Sequence, residues 1–212
     1  MSSLNEWEAR FAAYVARLDS ADGAHDLGHV KRGVINARRL AASENADLAI
    51  VLPAAWLHDC VAVAKDSPLR AQASRLAAEQ ALKLLADWGY DLAPLPAIGH
   101  AIAAHSFSAA IAPETIEAKV VQDADRLEAL GAIGLLRMVI TGCQMGRELF
   151  DSADPLAQHR PADDNRYSLD HLKCKLYKLP AMMQTAAGQR EAQSRCQWLR
   201  GFSQQLGAEL GV

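Results

Sequence analysis

The feature that most constrains this chain is an apolar run that ends on two polar residues. AIVLPAAWL covers residues 49–57 without a charge, and it stops at His58-Asp59. A segment that apolar belongs in a core, so the pair that closes it is drawn toward the interior. A buried carboxylate beside a buried imidazole is costly unless its charge is compensated. A bound cation is a natural compensator, and nitrogen with carboxylate oxygen suits a divalent metal.

The rest of the chain determines what kind of core this is. Alanine and leucine dominate and clusters of β-branched residues are few, so the expected class is all-α. At 212 residues the chain is long enough for one sizeable core and short for two domains. A net charge of −3 gives no basis for a nucleic-acid or membrane surface. No apolar stretch approaches the ~20 residues that span a bilayer. The N-terminus MSSLNEWEARF has neither the basic nor the apolar region of a signal peptide. Cys60, Cys143, Cys174 and Cys196 are far apart and form no CxxC, which fits a reduced, cytoplasmic setting and packing roles.

Periodicity and caps place the elements. Helices are expected over about 4–18, 27–43 with Asp26 as its cap, and 46–59 ending at the His-Asp pair. Ser67-Pro68 reads as an N-cap and first helical position for a helix of about 68–87. Further helices are expected over about 94–105, 114–128 and 131–148. The polar, proline-containing stretch 150–167 is too long for a casual connection and reads as a functional loop; helix is expected again over 168–210.

Candidate ligands follow an order: His29, His58-Asp59, Asp125. Alone, His29 would more often be a solvated or core histidine, and a lone His-Asp dipeptide is weak. His25-Asp26 is a second such dipeptide, but it lies at a helix start where Asp26 has an ordinary capping task. Asp123 and Asp125, one residue apart, point about 200° apart on a helix, so they cannot both face one ion. Periodicity does not choose between them.

Those residues carry a resemblance. AHDLGHVKR, LHDCVAVAKDSPLRAQASRLAAE, HAIAAHSFS, QDADRLEALGAIGLLR, DPLAQHRPADDNRYSLDH and KLPAMMQTAAG resemble the HD-domain superfamily of metal-dependent phosphohydrolases, in its stand-alone bacterial YedJ-like branch. The similarity runs over about residues 5–205. It implies a single all-α HD domain over 1–212; the basic and aromatic residues of the helical extension from about 150 read either as a solvated face or as a lid over an anionic substrate. It implies His29, His58, Asp59 and Asp125 as ligands of one divalent metal ion (Mn, Fe, Co, Ni or Zn). It implies Lys65, Arg70 and Arg126 as contacts to substrate phosphate, where the bland reading of Lys65 and Arg70 is solvated loop charge. Some nucleotidases of this superfamily carry a Glu three residues after the pair; here that position is Ala62. His25, Asp26, His105 and Asp123 are then the candidates for catalytic or supporting roles, in no firm order.

His100 and His105 bear on how many metals bind. Five residues apart, they diverge by about 140° on a regular helix, which favours one metal. His105 then supports the site or contacts phosphate, and His100 is as well read as a core histidine. His171, Lys175 and Lys178 would share a face on a helix from about 168, either solvated or turned to an anionic substrate. The expected reaction is hydrolysis of a phosphate ester or anhydride of a small phosphorylated substrate, best a nucleotide. The alternatives are a cyclic (di)nucleotide phosphodiesterase, a di-iron oxygenase that needs both His100 and His105, and a non-enzymatic nucleotide sensor. Oligomeric state is not encoded in any motif.

Overall fold

The computed structural model describes residues 3–18, 27–61, 63, 67 and 69–212, with Arg70 described in its backbone only. His25, Asp26, Ala62, Lys65 and Pro68 lie outside the described residues. The described residues are helical and contain no strand; one isolated bridge pairs Glu148 with Tyr167. The chain forms two compact units, Met1–Asp125 and Arg126–Val212.

The first unit holds α1 (Leu4–Val15), α2 (Leu27–Glu44), α3 (Leu48–Leu57), α4 (Ala73–Asp87), α5 (Leu95–His105) and α6 (Ile116–Leu127) up to Asp125. Its centre is α3, packed by α1, α2 and α5, while α4 lies along α5. Every residue of α3 from Val51 to Leu57 is buried, as its uniformly apolar sequence requires. Asp47 caps its start by accepting from Ala49 N at 2.8 Å. Pro53, inside α3, has no N–H for the Ala49 carbonyl one turn back. The Tyr90 hydroxyl takes that acceptor at 2.7 Å. Burial, with Asp47 and Asp91 nearby, pushes the Tyr90 phenol up to about 12, so it stays a donor. Gly89, at φ +78°, turns the chain after α4 and delivers Tyr90 to this place.

Helix 68–87 was expected to start at Pro68, but α4 starts at Ala73, after a short 3₁₀ turn over Arg70–Gln72. Ser67 Oγ accepts from Leu69 N at 3.2 Å, but the N-cap of α4 is Gln72.

The second unit continues with α7 (Gly131–Gln144), α8 (His171–Cys174) and α9 (Ala186–Leu210). α7 stops before 148 because Gly146, at φ +69°, ends it with Arg147 N bonded to Gly142 O at 2.9 Å. α7 and α9 pack together, and a 3₁₀ segment over Leu176–Met182 packs on α9. Gly142 is needed for a close approach, since a Cβ there would stand 2.0 Å from Ser168 Oγ.

The continuous helix expected over 168–210 is not formed. α8 ends at Lys175, whose backbone (φ −134°, ψ −56°) leaves helix, and Pro180 sits within the 3₁₀ segment. Without an N–H, Pro180 cannot carry an α-helical ladder through this stretch. His171, Lys175 and Lys178 therefore do not share a helix face; His171 Nδ1 instead bonds Asp164 Oδ2 at 2.7 Å.

The stretch 150–167 is a tied loop. Asp154 accepts from the backbone N–H groups of Gln158, His159 and Arg160 at 2.8, 2.7 and 3.1 Å. Arg160 pairs with buried Asp170 and lies over the Tyr167 ring. The four cysteines are free, and burial pushes the Cys60 thiol up to about 12, consistent with packing. No single helix among the described residues is long and apolar enough to cross a membrane.

Candidate metal centre

Five side chains of the first unit converge, each set by the end or the buried face of a helix. His29 is the third residue of α2 and 1% exposed. His58 is the C-cap of α3, placed where the apolar run ends. Asp59 follows it, about a third of its side chain exposed. His105 is the last residue of α5. Asp125 lies in the last turn of α6.

The donor atoms of His29, His58 and Asp125 all lie within 4.8 Å of one another, as do those of His58, Asp59 and His105. Asp125 Oδ1 is 3.4 Å from His29 Nε2 and 3.9 Å from His58 Nε2. Asp59 turns Oδ2 to His58 Nε2 and Oδ1 to His105 Nε2, each at 3.5 Å. Ligands about 2.1 Å from a common ion stand roughly 3.0–3.4 Å apart at octahedral or tetrahedral angles. The observed spacings, 3.4–3.9 Å, are near this range.

Protonation explains why these atoms need a partner. His58 Nδ1 lies 2.9 Å from Ala55 O, and a carbonyl only accepts, so Nδ1 carries the proton. Nε2 then presents its lone pair. It is buried and makes no hydrogen bond, facing two carboxylates that are acceptors too. Burial pulls the His58 imidazole below its usual pKa despite Asp59, which keeps the ring neutral. Burial by itself would raise the Asp125 carboxyl, but His29, His58 and His105 outweigh it and hold Asp125 well below the usual carboxylate range. For His105, burial acts downward, and the bond and charge of Asp59 reverse it to a raised value. A neutral imidazole and an ionised carboxylate are the forms that bind a divalent cation, so the residues fit one.

The two aspartates of QDADR lie in different surroundings. Asp125 faces the cluster, whereas Asp123 is fully buried on another face of α6 and belongs to neither donor group. Arg126, next in sequence, donates to the Met182 carbonyl. Arg70 stands in the 3₁₀ turn Arg70–Gln72. His100 takes no part: its Nε2 accepts from Glu114 N at 3.0 Å. The oxygenase alternative, which needs His100 as a ligand, has no such ligand here.

Two residues that sequence reasoning passed over support the cluster. The Ser74 hydroxyl on α4 donates to Ala103 O at 2.9 Å, and the Gln122 amide on α6 donates to Ala104 O at 2.7 Å. Both satisfy carbonyls at the end of α5 that have no helical partner. The available signal was Gln122 in the apolar context VVQ, a buried amide that needs a bond.

The sequence matches the HD domain family over residues 25–130. It is 30% identical over 193 residues to the Bacillus subtilis (strain 168) protein YpgQ, covering 89% of this chain and 86% of that one. The crystal structure of Bacillus subtilis YpgQ in complex with ADP is similar at a TM-score of 0.74 and 29% identity, over 95% of this chain and 97% of that one. The crystal structure of an HD-superfamily hydrolase from Bacillus thuringiensis is similar at a TM-score of 0.76 and 29% identity, over 99% and 100% of the two chains.

Proposed function

The chain belongs to the HD-domain family, and on that footing we propose that it is a metal-dependent phosphohydrolase acting on a small nucleotide. The observation that carries the reading is the buried His58 Nε2, a lone pair aimed at two carboxylates with no hydrogen on either side. His29, His58, Asp59 and Asp125 hold one divalent ion. Such an ion would polarise a phosphoryl oxygen and lower the pKa of a bound water. The donor set admits Mn, Fe, Co, Ni or Zn. Support for a nucleotide comes from YpgQ, whose similar structure is a complex with ADP.

In hydrolysis water oxygen bonds to phosphorus, the bond to the leaving oxygen breaks, and the water proton passes to the leaving group. Asp59, about a third exposed, faces buried His105 at 3.5 Å, and such a proton would be handed on there. His25, Asp26 and Asp123 are the remaining candidates for that task. Lys65, Arg70 and Arg126 neutralise charge on the phosphoryl oxygens. Arg126 would do so from the guanidinium that also holds Met182 O.

The test is turnover. Full-length protein is loaded with each metal in turn and offered nucleoside mono-, di- and triphosphates and cyclic nucleotides, with products identified. The expected result is nucleotide hydrolysis that is lost in Asp59→Asn, with about one metal per parent chain. Arg126→Ala should lower kcat/KM by ~10-fold or more, as loss of a charge-assisted hydrogen bond does, with metal content unchanged. Hydrolysis of no nucleotide with any of these metals would refute the substrate reading.

A further inference from the structure

Four arginines among the described residues lie over an aromatic ring. Three of them also give N–H groups to an acceptor: Arg10 to Trp88 O, Arg160 to Asp170 and Arg166 to Glu148. Arg200, on α9, lies 4.4 Å from the centroid of the Tyr177 ring and gives no N–H to a protein acceptor. A guanidinium held against a ring with its fork of donors unspent is prepared for a bidentate oxyanion.

Arg200 stands at a cleft of about 240 Å³ whose lining residues all belong to the second unit. That is below the roughly 300–1,000 Å³ of sites for drug-sized ligands, so the occupant is small. Leu156, Leu169 and Leu172 give the cleft apolar wall, and Lys173 joins Arg200 in lining it. Both cations are exposed. Lys173 is tied by one bond, from Nζ to Ala157 O at 2.8 Å, and an ammonium has further hydrogens to give. The single carboxylate in the lining, Asp170, is already answered. It accepts from both terminal nitrogens of Arg160 and, at 2.7 Å, from Asp163 N. Lys173 and Arg200 are therefore positive charges that no carboxylate pairs with.

The hydroxyls of the lining are ordered as well. Ser203 Oγ donates to Leu199 O at 3.1 Å, so the Tyr177 hydroxyl, 2.6 Å away, donates to Ser203. Both hydrogens are then spent, and only acceptor capacity is left at the two oxygens. An oxyanion finds no donor there, whereas a ligand hydroxyl finds an acceptor. Two positive charges match a phosphate monoester, with about −1.5 to −2 near neutral pH, better than one carboxylate.

We propose that this cleft binds a small phosphate monoester with a hydroxyl-bearing carbon body. The phosphate lies on Arg200 and Lys173, the carbons lie against the leucines, and a hydroxyl donates to Tyr177 or Ser203. The His/Asp cluster belongs to the first unit, so this site does not rest on the reading of that cluster as a metal centre.

Ribose 5-phosphate is a probe of this class. The full chain, carrying isotope-labelled arginine, is titrated with it while the Nε–H resonance of Arg200 is followed by NMR. That resonance is assigned by its absence in Arg200→Gln. The expected result is a saturable shift, with ribose and inorganic phosphate each binding ~10-fold or more weakly because each lacks half of the contacts. Lys173→Gln, read at the same resonance, should weaken binding by ~10-fold or more, as loss of a charge-assisted hydrogen bond does. His58→Ala should leave the shift in place. No shift at Arg200, or parental affinity in Lys173→Gln, would overturn the proposal. Inorganic phosphate binding as tightly as ribose 5-phosphate would reduce the cleft to a bare anion site and overturn it too. A shift lost in His58→Ala would mean that the probe is held at the His/Asp cluster instead.

Discussion

Tyr90→Phe tests how helix α3, which ends at His58, is held. The change keeps the ring and its edge contact with Trp7, 4.8 Å between centroids, and removes only the hydroxyl. That hydroxyl is the donor to Ala49 O at 2.7 Å, and the ordinary helical donor at that position is Pro53, which has none. The carbonyl is partly buried, so its loss of a partner should cost about 1–2 kcal/mol rather than the full price of a buried orphan. For a chain of this size each kcal/mol moves Tm by roughly 2–4 °C, giving a fall of about 2–8 °C by calorimetry. Pro53→Ala supplies the missing N–H. In that background Tyr90→Phe should cost about 1 kcal/mol less, a coupling read from a double-mutant cycle in urea. Equal costs in the two backgrounds would show that the hydroxyl does not stand in for the Pro53 N–H, and the account of α3 would be wrong.

Other outcomes follow from the site. A divalent ion at 100 times its Kd should stabilise the parent by about 2.7 kcal/mol, or roughly 5–11 °C in Tm; His58→Ala should abolish this rise, and normal metal content in that variant would sink the ligand assignment. Asp125→Asn should lose metal and Asp123→Asn should keep it, and elemental analysis giving the reverse would mean that the face of α6 is misassigned. Gln122→Met keeps volume but leaves Ala104 O without its donor, so metal affinity should fall by about 10-fold or more as for other supporting contacts; unchanged affinity by calorimetric titration would detach Gln122 from the site. The His171 hydrogen bond depresses the Asp164 carboxyl. Its stabilisation is therefore present above about pH 4, the ordinary carboxylate value, and is lost as pH falls through the lower folded value. Acid unfolding of Asp164→Asn should lack this step, and identical pH profiles would count against the pair.

The class of fold was readable from residues alone, and so was the approach of His58-Asp59 to the core. An alanine- and leucine-rich chain with helical spacing has little alternative to helices, and an apolar run closed by His58-Asp59 brings both groups to the edge of a core. The ordered set His29, His58-Asp59, Asp125 was readable too, but only through resemblance for its last member. Periodicity separates Asp123 from Asp125 without saying which side faces inward, because that depends on where α6 is packed. In the tertiary structure Asp123 is fully buried and Asp125 stands 3.4 Å from His29. The same structure separates His100 from His105. On a sequence the two are equivalent, yet one is spent on Glu114 N and the other is aimed at Asp59. Ser74 gave no sign of a role and Gln122 only its apolar context, since a serine or glutamine gains a role only when another helix brings it an unpaired carbonyl. The broken tail was partly visible in Pro180, but the turn at Lys175 was not: a residue of ordinary helix propensity leaves the helix there because packing outweighs its small local preference.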